Sequence, residues 1–369
     1  MAEPLSLYIH VPFCAGKCPY CDFYSLPPAE GAVEGYMRRM QALLTQWGQR
    51  VGPRPVETVY LGGGTPSLLG AGRLSALLEE VARRFSLAPG AEITCEANPT
   101  GLEAGFFGGL RAGGFNRLSL GMQSAHPREL ELLGRRHSPE DVAAAVEAAR
   151  AAGFGNLSLD LMLALPGSSP ESLEGSAAFA AGLGPQHISA YLLKVEPGTP
   201  FAHRRLDLPG EDEAAGQYLA CVEALARLGY AQYEISNFAL PGRESRHNLT
   251  YWQGREYLGL GPGAHSFWDG RRFFWERDLA GFLAGSQPVD DGPGGGFEEF
   301  AMLNLRLCRG LTLADCRARF GPAGEAGFWR VLGRAGACPP GLLRPTPQSL
   351  SLTPAGFLVS NALLARLLD

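Results

Sequence analysis

The sequence shows no paired-cysteine spacing, no basic-then-apolar pattern of a secretory leader, no apolar run long enough to cross a bilayer and no excess of basic charge. Each absence removes a class of protein. Of eight cysteines, Cys95, Cys221, Cys308, Cys316 and Cys338 lie scattered, unlike the paired spacing of a small secreted scaffold. The N-terminus lacks a basic stretch followed by a long apolar segment, so secretion is not expected. No segment is apolar for the length a membrane span needs. A formal net charge of -5 gives no general attraction for nucleic acid, and no nucleic-acid partner is expected. The expectation is a soluble, cytoplasmic chain in a reducing compartment. Its 369 residues, 46% hydrophobic and 19% charged, suffice for one large domain and a smaller one.

What is present is a repeat: a short apolar strand, a polar or glycine turn, then an amphipathic helix. Strands are predicted at Leu5–Val11, Thr58–Leu61, Glu92–Glu96, Arg117–Met122, Leu157–Met162 and His187–Val195. Helices are predicted between them at Val33–Trp47, Gly72–Phe85, Leu102–Ala112, Pro139–Ala152, Pro170–Ala181 and Glu211–Leu228. Ser138-Pro139-Glu140-Asp141 is a helix start, with a capping hydroxyl, proline and acids in the first turn. Alternation of this kind builds a parallel sheet with right-handed crossovers. Six units are too few for a closed eight-unit barrel, so the fold class is α/β, a partial, open six-unit β/α barrel over residues 1–229. Residues 230–296 read as an aromatic, glycine-rich connecting region, with Gln287–Gly296 a surface loop. Residues 297–369 read as a smaller C-terminal α+β, winged-helix-like domain: helices, a strand pair around Gly341–Leu352, and the helix Pro354–Leu368.

The other three cysteines crowd into Cys14-Ala15-Gly16-Lys17-Cys18-Pro19-Tyr20-Cys21, just beyond the first strand. A tight cluster in a reducing compartment reads as metal binding or redox chemistry. Structural zinc asks for four protein ligands. Here no fourth cysteine or histidine is near, and Asp22 is poorly spaced to serve. Three thiolates instead suit an iron–sulfur cubane with one iron left open to an outside ligand. Gly62-Gly63-Gly64-Thr65-Pro66 follows the second strand, where a backbone can approach a ligand closely or simply turn tightly into a helix. Glu96, Gln123 and Asp160 fall on or beyond later strands and Arg135 in a connection, near the rim where parallel barrels gather their chemistry. Taken singly, each could be a loop hydrogen-bonder or half of a surface ion pair.

The C-x-x-x-C-x-x-C spacing resembles that of the radical S-adenosylmethionine (SAM) superfamily. The resemblance implies a [4Fe-4S] cluster on Cys14, Cys18 and Cys21, with SAM chelating the open iron and open to cleavage into a 5'-deoxyadenosyl radical. Tyr8-Ile9-His10-Val11-Pro12-Phe13-Cys14, Asn116–Ser124, Leu133-Gly134-Arg135-Arg136-His137 and Asp160–Pro166 are similar to the coproporphyrinogen-oxidase-related branch. By that likeness Tyr8, Gly63, Gly64, Thr65, Glu96, Gln123, Arg135 and Asp160 line the cofactor pocket. Ala164 stands where the branch usually has glycine, and its extra methyl is expected to matter little.

Within the branch, Phe23 occupies the position of the oxygen-independent oxidase's fourth cysteine, and only a short segment precedes Cys14 where that enzyme has a longer lid. Both departures speak against coproporphyrinogen oxidase activity, although a radical enzyme acting on a tetrapyrrole stands as the alternative. His247-Asn248-Leu249-Thr250-Tyr251-Trp252 matches the H-N-x-x-Y-W motif of HemW-type haem chaperones. Chemically, His247 can offer an axial nitrogen to haem iron, and Tyr251 and Trp252 flat faces to a porphyrin. A packed aromatic turn around a core histidine accounts for the same residues. The resemblance implies that His247, Asn248, Tyr251 and Trp252 bind haem. It also implies an apo-haem acceptor protein, such as a respiratory haem protein, and an electron donor as partners. It is compatible with transient membrane association and with a homodimer, and leaves open whether SAM is cleaved.

Overall fold

A computed structural model describes residues 3–368. Leu5–Val11 (β1) opens a series of alternating strands and helices. It continues through Ala32–Val51 (α1), Pro55–Gly63 (β2), Gly70–Arg84 (α2), Ser86–Ala97 (β3), Phe106–Ala112 (α3) and Arg117–Gln123 (β4). Pro127–Leu132 (α4), Pro139–Ala151 (α5), Leu157–Leu163 (β5), Pro170–Gly182 (α6), His187–Leu192 (β6) and Glu211–Arg227 (α7) follow. The six strands lie side by side and parallel in chain order. Each predicted strand is present. The sixth stops at Leu192 short of Val195, and the short helix α4, started by a proline, was not anticipated. The start at Ser138 is a full capping box: its hydroxyl takes the Asp141 amide while the Asp141 carboxylate takes the Ser138 amide.

Side chains alternate across each strand. Leu5, Leu7, Ile9, Val11, Leu118, Leu120, Leu159 and Leu161 are buried in the core with Met40 and Leu43 of α1 and Leu74 and Leu78 of α2. The intervening residues turn to the concave side, so an unusual number of polar groups ends up inside the barrel: Tyr8, Tyr60, Glu96, Arg117, Ser119, Asp160 and Ser189.

The stretch after residue 230 is built into the same sheet. Ala231–Glu234 (β7) and Asn237–Ala239 (β8) join antiparallel beyond β6. The chain then crosses to the other edge through Arg246–Trp252 (α8). Tyr257–Leu260 (β9) lies parallel to β1, with Ser6 opposite Tyr257 and Ile9 opposite Leu260. His265–Trp268 (β10) and Arg271–Phe274 (β11) follow. Leu279–Ala284 (α9) then leads to Val289–Pro293 (β12), which pairs with β11. The predicted surface loop at Gln287–Gly296 is therefore corrected to an edge strand. Its proline is tolerated at the strand's last position, where no partner beyond needs an amide. The twelve-stranded sheet ends in β12 at one side and β7 at the other, so it is open. Trp47 of α1 stacks on Phe273 at 5.5 Å and meets Trp268 edge-on at 5.4 Å, fastening the added strands to the first helix.

Because β8 and β9 sit at opposite edges of the parallel run, α8 bridges the gap beneath it. Its amides at Arg246 and His247 hydrogen-bond to Glu92 within β3, and Thr250 to Ser6 near the start of β1. The helix thus plugs the N-terminal end of the barrel.

The C-terminal part comprises Phe297–Asn304 (α10), Leu311–Thr312 (β13), Leu313–Arg334 (α11), Leu343–Pro345 (β14), Ser349–Leu352 (β15), Pro354–Leu358 (α12) and Ser360–Leu368 (α13). Its three strands form a separate antiparallel sheet in the order β13-β15-β14. The single predicted helix from Pro354 to Leu368 is two, broken at Val359. Among the described residues no helix is long and apolar enough to cross a membrane.

Candidate functional site

The three-cysteine loop leaves β1 at the C-terminal rim of the barrel. It is pinned by the Cys14 amide on the Leu26 carbonyl (3.0 Å), the Thr65 amide on the Phe13 carbonyl (2.7 Å) and the Phe201 amide on the Pro19 carbonyl (2.9 Å). Gly64 lies so close beneath it that a Cβ there would stand 2.4 Å from the Phe13 carbonyl oxygen, which accounts for glycine at this position. At Gly63, with φ at 110°, a Cβ would strike the His10 ring at 2.6 Å.

All three thiols are half-buried and free of disulfides. The Thr65 hydroxyl donates to the Cys14 sulfur at 3.4 Å, and Arg135 Nη1 to the Cys18 sulfur at 3.8 Å. Burial pushes the Cys21 thiol pKa up. Asp22, the other conceivable ligand, turns away to pair with Arg277 at 3.2 Å. Among the described residues no three His, Cys, Asp or Glu side chains converge closely enough to hold one metal ion. The hydrogen bond at the Cys14 sulfur and the Arg135 cation at the Cys18 sulfur suit a bound group carrying net negative charge.

Beside the loop opens a cavity of about 510 Å³, the size of a site for a drug-sized molecule. All eight residues expected around SAM line it: Tyr8, Gly63, Gly64, Thr65, Glu96, Gln123, Arg135 and Asp160, with Cys21 at the edge. Their positions are well fixed. Glu96 accepts from the Tyr60 hydroxyl at 2.7 Å and the Gly63 amide at 3.1 Å. Burial lifts the Glu96 carboxyl to a pKa of about 7, against the pull of the Tyr60 hydrogen bond. Burial also raises Asp160, opposed by hydrogen bonds from Ser189 and from Ser119, the latter at 3.2 Å. Arg135 Nη2 donates to the Gly121 carbonyl at 2.7 Å and the Asn98 side chain at 2.9 Å. Gln123 ends β4 with φ at 69°, a left-handed conformation unusual outside glycine.

Sequence reasoning missed several lining residues: Tyr20, Tyr60, Asn98, Arg117, Ser119, Ser189 and Tyr191. Arg117 is the most telling, because its side chain is buried and its Nε has no hydrogen-bond partner among the described residues. A signal was present: Arg117-x-Ser119-x-Gly121-x-Gln123 carries polar or glycine residues at every second position of an apolar strand.

The H-N-x-x-Y-W motif divides. His247, Asn248 and Tyr251 line the same cavity, as its floor. The i, i+4 relation holds: His247 Nε2 is 2.7 Å from the Tyr251 hydroxyl. But Nδ1 of His247 is 2.7 Å from the Thr58 hydroxyl, and the ring stacks on Tyr60 at 4.9 Å. In this arrangement both ring nitrogens of His247 are hydrogen-bonded and the residue is 1% exposed. Burial, with Arg117 nearby, lowers the His247 pKa to about 3, so the ring is neutral. Trp252 does not reach the cavity; the Arg306 guanidinium lies over its ring at 6.0 Å.

A second correction concerns Ala164. Its φ is 55°, where a Cβ is strained. Glycine is favoured there for its backbone freedom, so the alanine carries a cost that counting a methyl group overlooks.

Comparison with known proteins agrees with this architecture. The radical SAM superfamily profile matches residues 8–180. The chain is 40% identical to the heme chaperone HemW of Mycobacterium tuberculosis, across 99% of this chain and 95% of the relative. With the HemW of Escherichia coli it shares 41% identity, across 76% of each. Among solved structures, the coproporphyrinogen III oxidase HemN of Escherichia coli superposes with a TM-score of 0.85 at 23% identity, across 99% of this chain and 90% of that one, a likeness of fold. With near-complete coverage at this identity, the chain belongs to the HemW heme chaperone family of the radical SAM superfamily.

Proposed function

We propose that this chain is a cytoplasmic haem-binding chaperone that carries a [4Fe-4S] cluster on Cys14, Cys18 and Cys21, binds SAM in the adjoining cavity, and passes haem to an apo-acceptor such as a respiratory haem protein. The observation that carries the reading is the convergence of eight residues from separate strands and loops on one cavity beside three thiols. In this reading residues 1–229 hold cluster and cofactor, 230–296 contribute the haem-facing wall, and 297–369 form a smaller C-terminal module.

Cys14, Cys18 and Cys21 would hold the cluster, which would supply an electron for reductive cleavage of the SAM sulfonium. The chain's own residues do the rest. Arg135 ties the cluster loop to the ends of β3 and β4 and places positive charge beside Cys18. Glu96, with a pKa of about 7, can exchange a proton near neutrality and take up an ammonium group as a carboxylate. Asp160 on β5, held by Ser119, supplies a second acceptor in the same cavity. The floor of His247, Tyr251 and Tyr60 closes the cavity to water from below.

Phe23 at the oxidase's fourth-cysteine position favours haem carriage over porphyrinogen oxidation. The experiment is anaerobic cluster reconstitution followed by haem loading and mixing with an apo-haem protein. Transfer of the haem spectrum to the acceptor, with no conversion of coproporphyrinogen, is expected. Turnover of coproporphyrinogen, or retention of no haem, would reverse the assignment.

A further inference from the structure

A second cavity, of about 340 Å³, opens beside the first and shares Tyr8, Phe23 and Tyr251 with it. Three histidines face the two cavities, and they differ in one decisive respect. His10 has its Nδ1 at 2.9 Å from the Tyr8 hydroxyl and its Nε2 at 2.8 Å from the Tyr24 carbonyl. His247 is likewise engaged through both nitrogens. His265, at the start of β10, is exposed, its ring lies against Phe274 at 5.3 Å, and its ring nitrogens hydrogen-bond to no group among the described residues.

Resting on the reading of this chain as a haem carrier, we propose that haem sits over the second cavity with His265 as the protein ligand to its iron. A buried imidazole with both nitrogens occupied must break a hydrogen bond to bind iron, whereas an open one gives up only water. The other walls fit the rest of a haem. Phe23 is 65% exposed at the lip common to both cavities, a large apolar ring left in water that a flat apolar ligand would cover. Tyr257 offers a second aromatic wall. Arg277 lies in the same cavity with its guanidinium half-exposed, held at 3.2 Å by Asp22, where a propionate can take the place of that carboxylate. Partial desolvation against the cavity wall and the cations Arg277 and Arg272, offset in part by Asp291, lower the His265 pKa, which favours the unprotonated imidazole. Haem and SAM then occupy adjoining seats that share the Tyr8–Phe23–Tyr251 wall, and the H-N-x-x-Y-W motif acts on haem through Tyr251.

The test is haem titration of the cluster-loaded full chain, followed by optical and magnetic spectra, in wild type and in His265→Ala, His265→Cys, Arg277→Ala and His247→Ala. Iron and sulfide content checks that each variant keeps its fold and cluster. The expected result is an imidazole-ligated spectrum in wild type, lost in His265→Ala with affinity down about tenfold or more. His265→Cys should move the spectrum to that of a thiolate-ligated haem, a change that a structural role would not produce. Arg277→Ala should weaken binding several-fold with the imidazole spectrum retained. A His265→Ala variant with wild-type spectrum and affinity, or loss of the imidazole spectrum in His247→Ala alone, overturns the assignment and leaves the haem-carrier reading standing. A wild-type chain that takes up no haem overturns both.

Discussion

Arg135 reaches from beyond α4 to the Cys18 sulfur with one guanidinium nitrogen, 3.8 Å away, and holds the Gly121 carbonyl with the other at 2.7 Å. One side chain therefore connects the cysteine loop to the cavity wall. Arg135→Lys keeps a charge but not the planar fork, leaving Gly121 or Asn98 unpaired at a cost on the order of 1–3 kcal/mol. Arg135→Ala also removes the positive charge, and the cluster's midpoint potential should shift negative relative to both wild type and the lysine variant. Denaturant titration and redox titration read the two effects separately.

Gly64→Ala would place a methyl 2.4 Å from the Phe13 carbonyl oxygen and 2.9 Å from Cβ of Ser25. Both are on the cysteine loop, so the loop must shift. Reconstituted iron and sulfide should fall well below wild type while far-ultraviolet circular dichroism is unchanged. Full cluster loading in this variant would show that the loop tolerates displacement.

Ala164→Gly is expected to stabilise the chain. Relief of the left-handed strain at φ 55° outweighs the added freedom of the unfolded chain, for a net gain of about 0.5–1 kcal/mol. A higher urea midpoint at unchanged slope checks it.

Glu96 and Glu234 are both lifted by burial to a pKa of about 7 from a reference of 4.5. A carboxyl raised in the folded state binds more protons there than in the unfolded chain, so its contribution to stability declines as pH rises from about 4.5 to 7. His10, His187 and His247, all lowered by burial, act in the opposite sense, losing stability as pH falls below about 6.5. The measurement is therefore a difference. Without SAM, Glu96→Gln should gain stability relative to wild type between pH 5 and 8, by on the order of 3 kcal/mol over the whole span. A pH-independent difference would place the Glu96 pKa near its ordinary value.

The parallel strands were legible because their outward faces form near-continuous apolar runs, such as Leu5, Leu7, Ile9 and Val11, and because starts such as Ser138-Pro139 are local chemistry. The cysteines and the residues near the rim were legible as motifs. Arg117, Tyr60 and Ser189 were not, since each reads as one polar residue until the strands are set side by side. The state of His247 depended on Thr58, a partner 189 residues away along the chain. The strand at Val289–Pro293 was hidden by Gly292, Pro293 and the glycines that follow, which read as a loop until Phe273 and Phe274 supply the pairing edge.

The most direct test is electron–nuclear double resonance on the reduced, anaerobically reconstituted chain with SAM labelled in its methionine nitrogen and carboxylate. The account predicts a four-iron cluster coupled to both labels, and loss of the cluster in Cys14→Ala, Cys18→Ala and Cys21→Ala. A cluster without coupling to either label, or iron and sulfide retained at wild-type levels in the cysteine variants, would contradict it.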